Sequence, residues 1–351
     1  MTSRIFWRDA RATLHLGDAL AVLGSLPAES ADCIVTSPPY WAKRDYRVAG
    51  QYGHEPTPAT YVETLRHVFR EARRVLADDG TCWLNLGDCY SEGGGAPTGL
   101  HRYLGPALAS RHTPGLAAKN LLGLPWRVAF SLQEDGWIIR NAIVWHKPNA
   151  MPESVRDRMN CRYELVFLLA KTRRYWFDLD PIRLPHATAG STLGHAGTGA
   201  ATGTRRPPGR PATGRHPGSG MPGGTHPSGT RRKYGPHTRE VVAARRYGNG
   251  RAGRTHPNGR NPGDVWAIPT RPYRGPHFAA YPIDLPTRCI KAGCKPGGTV
   301  LDPFCGTGTT GIAALQLGRH FTGIELNPAF AALAAERLQH TTEPGTEQDG
   351  R

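Results

Sequence analysis

The sequence lacks any C-x-x-C pair, and its seven cysteines (Cys33, Cys82, Cys89, Cys161, Cys289, Cys294 and Cys305) are odd in number and scattered. That pattern excludes a zinc ribbon and a disulfide framework, so no metal site is expected and a reducing compartment fits best. No apolar run approaches the roughly 20 residues of a membrane span. Residues 1–9 lack the apolar core of a signal peptide. A soluble, cytoplasmic protein with no membrane partner is the expectation. Acidic side chains are scarce too: 28 Asp and Glu face 44 Lys and Arg, a net charge of +16. Such an imbalance favours a polyanionic partner, nucleic acid before anionic membrane.

Apolar residues nearly vanish between 186 and 262, where Gly, Pro, Thr, Arg and His dominate. A segment of that composition cannot bury enough surface to offset its ordering entropy. It holds thirteen Lys and Arg residues, among them Arg205, Arg206, Arg231, Arg232 and Lys233, against the single acid Glu240. Its net +12 is three-quarters of the charge of the whole chain. Two readings stand: a solvated linker, or an arm that orders on a phosphate backbone. The chain therefore divides into 1–185, the insert 186–262, 263–340 and a polar tail 341–351.

Outside the insert, strands and helices alternate. Short apolar runs at 14–16, 32–35, 81–86, 137–145, 163–170, 299–302 and 321–326 predict strands. Helical stripes cover 19–26, 57–77, 120–134, 282–292, 312–317 and 329–338. In the second of these Thr57 is the N-cap, Pro58 opens the first turn and Gly80 ends the element. This alternation predicts an α/β fold with a largely parallel sheet. Asp18 ends the first strand, where it is a helix cap or a ligand-facing carboxylate.

Two stretches carry chemistry. Thr36-Ser37-Pro38-Pro39-Tyr40-Trp41 follows a strand, and its prolines stop that strand and stiffen the loop behind it. Open α/β sheets bind ligands at this carboxyl edge. The Ser37 hydroxyl and the Pro38 carbonyl are two acceptors beside the flat face of Tyr40. They suit a planar group bearing an amine, such as a nucleobase, although a proline turn with a packing aromatic fits the same residues. The second stretch is Asp302-Pro303-Phe304-Cys305-Gly306-Thr307-Gly308-Thr309, between a strand and a helix. Gly306 and Gly308 admit ligand atoms to the backbone, and the helix offers free N–H groups. Glu325, 23 residues beyond Asp302, ends the next strand and can accept two ribose hydroxyls. Neither the third glycine of the dinucleotide fingerprint nor the Gly-Lys-Ser/Thr phosphate loop is present. A nucleoside without pyrophosphate is the better ligand, and S-adenosylmethionine is the foremost candidate.

Together the two stretches resemble the motif pair of amino-methylating DNA methyltransferases, the N4-cytosine and N6-adenine family. The tetrapeptide precedes the cofactor loop, which is the circularly permuted order of that family's beta group. Trp145-His146-Lys147-Pro148 and Tyr281-Pro282-Ile283-Asp284-Leu285 resemble two further segments. The similarity spans about 14–183 and 264–338. It implies a doubly wound, mostly parallel, seven-stranded-type sheet with one antiparallel strand at the edge, and a target-recognition insert where 186–262 stands. It implies Ser37, Pro38, Pro39 and Tyr40 as the catalytic loop. Asp302, Phe304, Cys305, Gly306, Gly308, Thr309 and Glu325, with Asp18, would hold S-adenosylmethionine. Double-stranded DNA is the implied partner, with a cognate restriction endonuclease as a second and a nucleoid location. Ser in the first position resembles the cytosine-N4 group, and adenine N6 is the alternative. The Pro-Cys dipeptide of carbon-5 cytosine methylases does not occur. A rival from another class is a non-catalytic DNA-binding protein that uses the arginine arm. Intact Ser37, Tyr40, Gly306, Gly308 and Glu325 speak against it.

Overall fold

A computed structural model describes residues 4–91, 113, 115–186, 256–271 and 281–342. Residues 1–184 and 260–351 belong to one unit, and 185–259 to a second. In the second, the described residues include His186, whose Nε2 meets the His256 carbonyl at 2.8 Å. Arg205, Arg206, Arg231, Arg232 and Lys233 lie outside the described residues.

The strands of the first unit are β1 (Arg4–Arg8), β2 (Ala12–Leu16), β3 (Ala31–Thr36), β4 (Leu76–Leu86), β5 (Ile138–His146), β6 (Tyr163–Ala170), β7 (Val265–Ala267), β8 (Thr299–Asp302) and β9 (His320–Glu325). Its helices are α1 (Ala19–Ser25), α2 (Pro58–Val75), α3 (Leu124–Glu134), α4 (Asp284–Gly293), α5 (Thr309–Gln316) and α6 (Pro328–Thr342). The strands form one sheet in the order β1-β2-β9-β8-β3-β4-β6-β5-β7. From β2 to β4 every neighbouring pair is parallel. Strand β6 runs against both β4 and β5. Two strands thus run against their neighbours: β1 at the edge of the sheet, as expected, and β6 inside it. Strands β1 and β7 extend the expected seven by one at each side. Strand β1 escapes prediction because nearly all of it is exposed, so it carries no apolar alternation.

Helices cover both faces. On one, Val22 and Leu23 of α1, Leu65 and Phe69 of α2, and Val128 and Leu132 of α3 pack on Ile34, Leu84 and Phe167. On the other, Leu285 and Ile290 of α4, Ala313 of α5, and Ala334 and Leu338 of α6 pack on Cys33, Val35 and Val300. Adjacent residues of β3 go to opposite faces, as the period of a strand demands.

The local rules mostly hold. Thr57 caps α2, accepting from the Thr60 N–H at 3.1 Å, with Pro58 in the first turn. Gly80 does not end that helix; it lies within β4. Its ladder with β3 jumps from Ala31–Leu76 to Cys33–Thr81, so the segment between bulges. A Cβ on Gly80 would sit 2.9 Å from the Asp32 carbonyl oxygen, which is why only glycine fits. Helix α3 begins at Leu124, not at 120, because Asp88 Oδ1 takes the Leu124 N–H at 3.1 Å. That start is set by a distant carboxylate.

Candidate active site

Strands β3 and β8 are neighbours, paired at Cys33–Val300 and Ile34–Leu301. Their carboxyl ends meet at one edge of the sheet, and the two loops expected to carry chemistry leave from there. Between them opens a cleft of about 710 Å³. Ser37, Pro38, Pro39 and Tyr40 line one side. Asp302, Phe304, Cys305, Gly306, Thr309 and Glu325 line the other. Gly308 and Asp18 lie beside the cleft.

The tetrapeptide is held firmly. Tyr61 Oη donates to the Pro39 carbonyl at 3.0 Å, and no hydrogen bond among the described residues reaches the Pro38 carbonyl. Ser37 Oγ donates to Tyr40 Oη at 3.1 Å. Tyr40 Oη donates to Glu164 Oε2 at 2.8 Å. Asn85 Nδ2 bonds Tyr40 Oη and Glu164 Oε2, each at 2.9 Å, and Ser37 Oγ at 3.4 Å. Lys147 Nζ pairs with Glu164 Oε1. Burial alone would raise the Glu164 carboxyl; the Lys147 charge and the bonds from Lys147, Asn85 and Tyr40 outweigh it and hold it below its ordinary value. Burial and the Glu164 charge push the Tyr40 phenol well above its usual range. Gly87 packs on the Tyr40 ring, where a Cβ would come within 2.6 Å of Cε2. Trp41 turns away: it is 2 % exposed, and its Nε1 donates to the Glu55 carbonyl at 2.8 Å. It belongs to the core, not to the wall of the cleft.

The glycine loop is as strongly organised. Asp302 is buried, and both its oxygens are used. Thr36 Oγ1 and the Phe304 N–H donate to Oδ1, and Thr310 Oγ1 and Tyr281 Oη to Oδ2. Burial pushes its carboxyl up against those bonds. Asp302 therefore positions the loop. Gly306 and Gly308 have φ of +53° and +78°, which a side chain would resist. Glu325 accepts the Gly306 N–H at 2.9 Å and the Asn327 N–H at 2.7 Å. Burial outweighs those bonds and raises its carboxyl to about 7. Burial also pushes the Cys305 thiol up, so it is no nucleophile.

The donor set fits a nucleoside. Each Glu325 oxygen keeps a lone pair beyond the backbone bond it accepts, enough for two ribose hydroxyls. The Phe304 ring, edge-on to Tyr52 at 5.1 Å between centroids, adds an apolar wall. Asp18 is the helix cap of the two readings. Its Oδ1 accepts the Ala21 N–H at 2.9 Å, and its Oδ2 the Tyr52 hydroxyl at 2.7 Å. It thereby fixes Tyr52 behind Phe304.

Asn85 and Glu164 are cleft-lining residues that motif reading misses. The signal is faint: a lone amide inside the apolar strand Trp83-Leu84-Asn85-Leu86, and a lone acid at the start of the apolar run 165–170. Among the described residues no cluster of three His, Cys, Asp or Glu is placed to hold a metal. No helix there is long and apolar enough to cross a membrane.

Comparison with known proteins agrees with this geometry. A family profile described as DNA methylase matches residues 31–336. The Type II methyltransferase M.Cfr9I of Citrobacter freundii is 38 % identical over 93 % of this chain and 88 % of its own. M.SmaI of Serratia marcescens, also a Type II methyltransferase, is 38 % identical over 92 % and 89 %. Among solved structures, the PvuII DNA methyltransferase, cytosine-N4-specific, superposes with a TM-score of 0.58. It covers 97 % of this chain and 94 % of its own at 16 % identity, a likeness of fold.

Proposed function

The chain belongs to the DNA methylase family whose profile spans residues 31–336, and from that premise we propose that it methylates the N4 amine of cytosine in duplex DNA. It is an S-adenosylmethionine-dependent DNA methyltransferase. The observation that carries the reading is the single cleft in which the Ser37–Tyr40 loop faces the Asp302–Thr309 loop.

S-adenosylmethionine, when bound, supplies a methyl group activated by its sulfonium. The chain's own residues do the rest. Glu325 would accept the ribose hydroxyls, and Phe304 and the backbone at Gly306, which line the same cleft, would pack beside the nucleoside. An exocyclic amine is a poor nucleophile because its lone pair is delocalised into the ring. Ser37 Oγ and the Pro38 carbonyl accept its two N–H bonds, which pulls the nitrogen towards tetrahedral geometry and localises the pair. A base can reach the cleft only by leaving the duplex, and Tyr40 stacks on it there. Such stacking contributes roughly 1–3 kcal/mol.

Ser37 supports cytosine through its resemblance to the N4 group; adenine N6 is the second reading, since a hydroxyl accepts from either amine. In the domain assignment 1–185 is the catalytic half, 263–340 the cofactor half, and the permuted order follows from their sequence. The basic insert 186–262 serves as the DNA arm. The Type II designation of the relatives supports a cognate restriction endonuclease as partner.

Single-molecule sequencing of DNA from cells expressing the protein tests base and site together. N4-methylcytosine at one recurrent sequence is the expected result. N6-methyladenine there would transfer the assignment to the second reading, and unmodified DNA would refute both.

A further inference from the structure

Transfer of a methyl group to an amine leaves a proton to be disposed of. The sulfur keeps the electron pair of the bond that breaks, and the nitrogen gives its lone pair to the new N–C bond. That nitrogen then carries a positive charge and one hydrogen too many. Resting on the reading above, we infer that Ser37, Tyr40 and Glu164 form the path by which this proton leaves.

The polarity of the path follows from its far end. Glu164 is ionised and can only accept, so Tyr40 must donate to it across their 2.8 Å contact. The phenol proton is then committed, and the Tyr40 oxygen accepts from Ser37 at 3.1 Å and from Asn85 at 2.9 Å. Ser37 Oγ, which takes a long 3.4 Å contact from Asn85 Nδ2, keeps a lone pair for the amine. The orientation of Asn85 is fixed by the same carboxylate: turned over, its oxygen would face Glu164 Oε2 at 2.9 Å. Among the described residues Asn85 Oδ1 is accordingly buried without a partner. One partly buried carboxylate thus orders every donor in the row.

The step balances without any co-reactant. The amine proton passes to Ser37 Oγ as the Ser37 proton passes to Tyr40 Oη and the Tyr40 proton to Glu164 Oε2. Ser37 and Tyr40 end as they began, and Glu164 ends neutral. Asn85 cannot replace the carboxylate, because an amide takes no proton under these conditions. Asp302 cannot either: its oxygens are engaged by Thr36, Thr310, Tyr281 and the Phe304 N–H, whereas the side-chain partners of Ser37 Oγ are Tyr40 and Asn85. A protonated aromatic amine is a strong acid, so even a carboxylate held ionised by Lys147 is base enough. Lys147, its side chain 19 % exposed, then stands beside a neutral acid and favours its re-ionisation to solvent. Tyr40 so has two separable duties, a ring for stacking and a hydroxyl for the proton.

The test is single-turnover methyl transfer to a duplex bearing the sequenced site, with Tyr40→Phe, Glu164→Gln and the double variant. Both single variants keep their shape, and Tyr40→Phe removes no charge, so it serves if Glu164→Gln melts early. Each single variant is expected to lose about a hundredfold in rate. Affinities for cofactor and duplex stay as in the wild type. The double variant loses little more than either single, because the groups act as a unit. In Glu164→Gln the residual rate rises with pH and buffer concentration, since the proton must go to the solution. The wild-type rate stays level over that range. In the ligand-free protein, NMR of tyrosine ring carbon should show Tyr40 titrating lower in Glu164→Gln than in the wild type. A single variant at the wild-type rate overturns the path while leaving the function intact. A wild-type chain that methylates no DNA overturns the function, and the path with it.

Discussion

Thr36 Oγ1 donates to Asp302 Oδ1 at 2.6 Å across the junction of β3 and β8. The two residues end adjacent strands though they stand 266 positions apart in the chain. One begins the loop that presents Ser37; the other begins the loop that presents Gly306. Their contact sets the spacing between the amine acceptors and the cofactor loop.

Thr36→Val keeps the volume and removes the donor. Asp302 is buried, so an acceptor site loses its partner without gaining water. The expected loss is about 1–3 kcal/mol of stability, read as a lower denaturation midpoint. The carboxyl of Asp302, already raised by burial, should rise further. Cofactor affinity should fall as well, because the glycine loop starts at Asp302. An unmoved midpoint together with unmoved affinity would show that the two loops are set independently.

Glu325 gives the site a pH signature. Its carboxyl titrates at about 7 in the folded chain against 4.5 ordinarily. The folded protein thus holds a proton that the unfolded chain releases. Its contribution to stability is full below about 4.5 and is lost as pH rises through about 7. Cofactor binding has the opposite sign, since the ionised carboxylate is the better acceptor for ribose hydroxyls. Calorimetry should show affinity weakening by up to about tenfold per pH unit below that titration. Glu325→Gln should bind weakly with no such pH dependence. Equal affinity at pH 5 and pH 8 in the wild type would refute the assignment.

Much of this was legible in the chain. Strand β8 and strand β6 have their predicted ends because each apolar run is closed by a turn or a proline. The Ser37 and Gly306 loops could be named because their backbones need residue types that few other structures need. What stayed hidden depends on contacts far apart in sequence. Glu164 comes to Tyr40 only when β6 inserts against β4, a pairing that no local pattern encodes. Asp18 could be a cap or a ligand until Tyr52 was placed. Gly80 looked like a helix end because glycine serves equally at a bulge. Strand β1 went unseen because exposure erases the period on which prediction rests.

The neighbouring aromatics Tyr40 and Trp41 should separate cleanly. Tyr40→Ala removes the stacking face and should abolish transfer to duplex DNA while sparing cofactor binding. Trp41→Ala empties a core site that is 2 % exposed, which costs about 3–5 kcal/mol. Its effect should therefore appear in thermal melting first, and activity should return for folded protein at low temperature. Normal transfer by Tyr40→Ala would remove the stacking role.

The insert 186–262 makes the last prediction, which rests on charge alone. Its net +12 is spread over a Pro- and Gly-rich stretch with few apolar residues to build a reading surface. Such a stretch suits phosphate contact better than base readout. Each phosphate neutralised adds about 0.9 to the slope of log affinity against log salt. Neutralising Arg205, Arg206, Arg231, Arg232 and Lys233 should flatten that slope by up to about 4.5 if all five touch phosphate. Sequence preference should change little, because the phosphate is the same at every site. Filter binding across a salt series, on the methylated sequence and on random duplex, gives both quantities. An unchanged slope would make the insert a solvated linker. Lost preference at constant slope would make it a reader of bases, with recognition built on the very residues that composition assigns to the backbone.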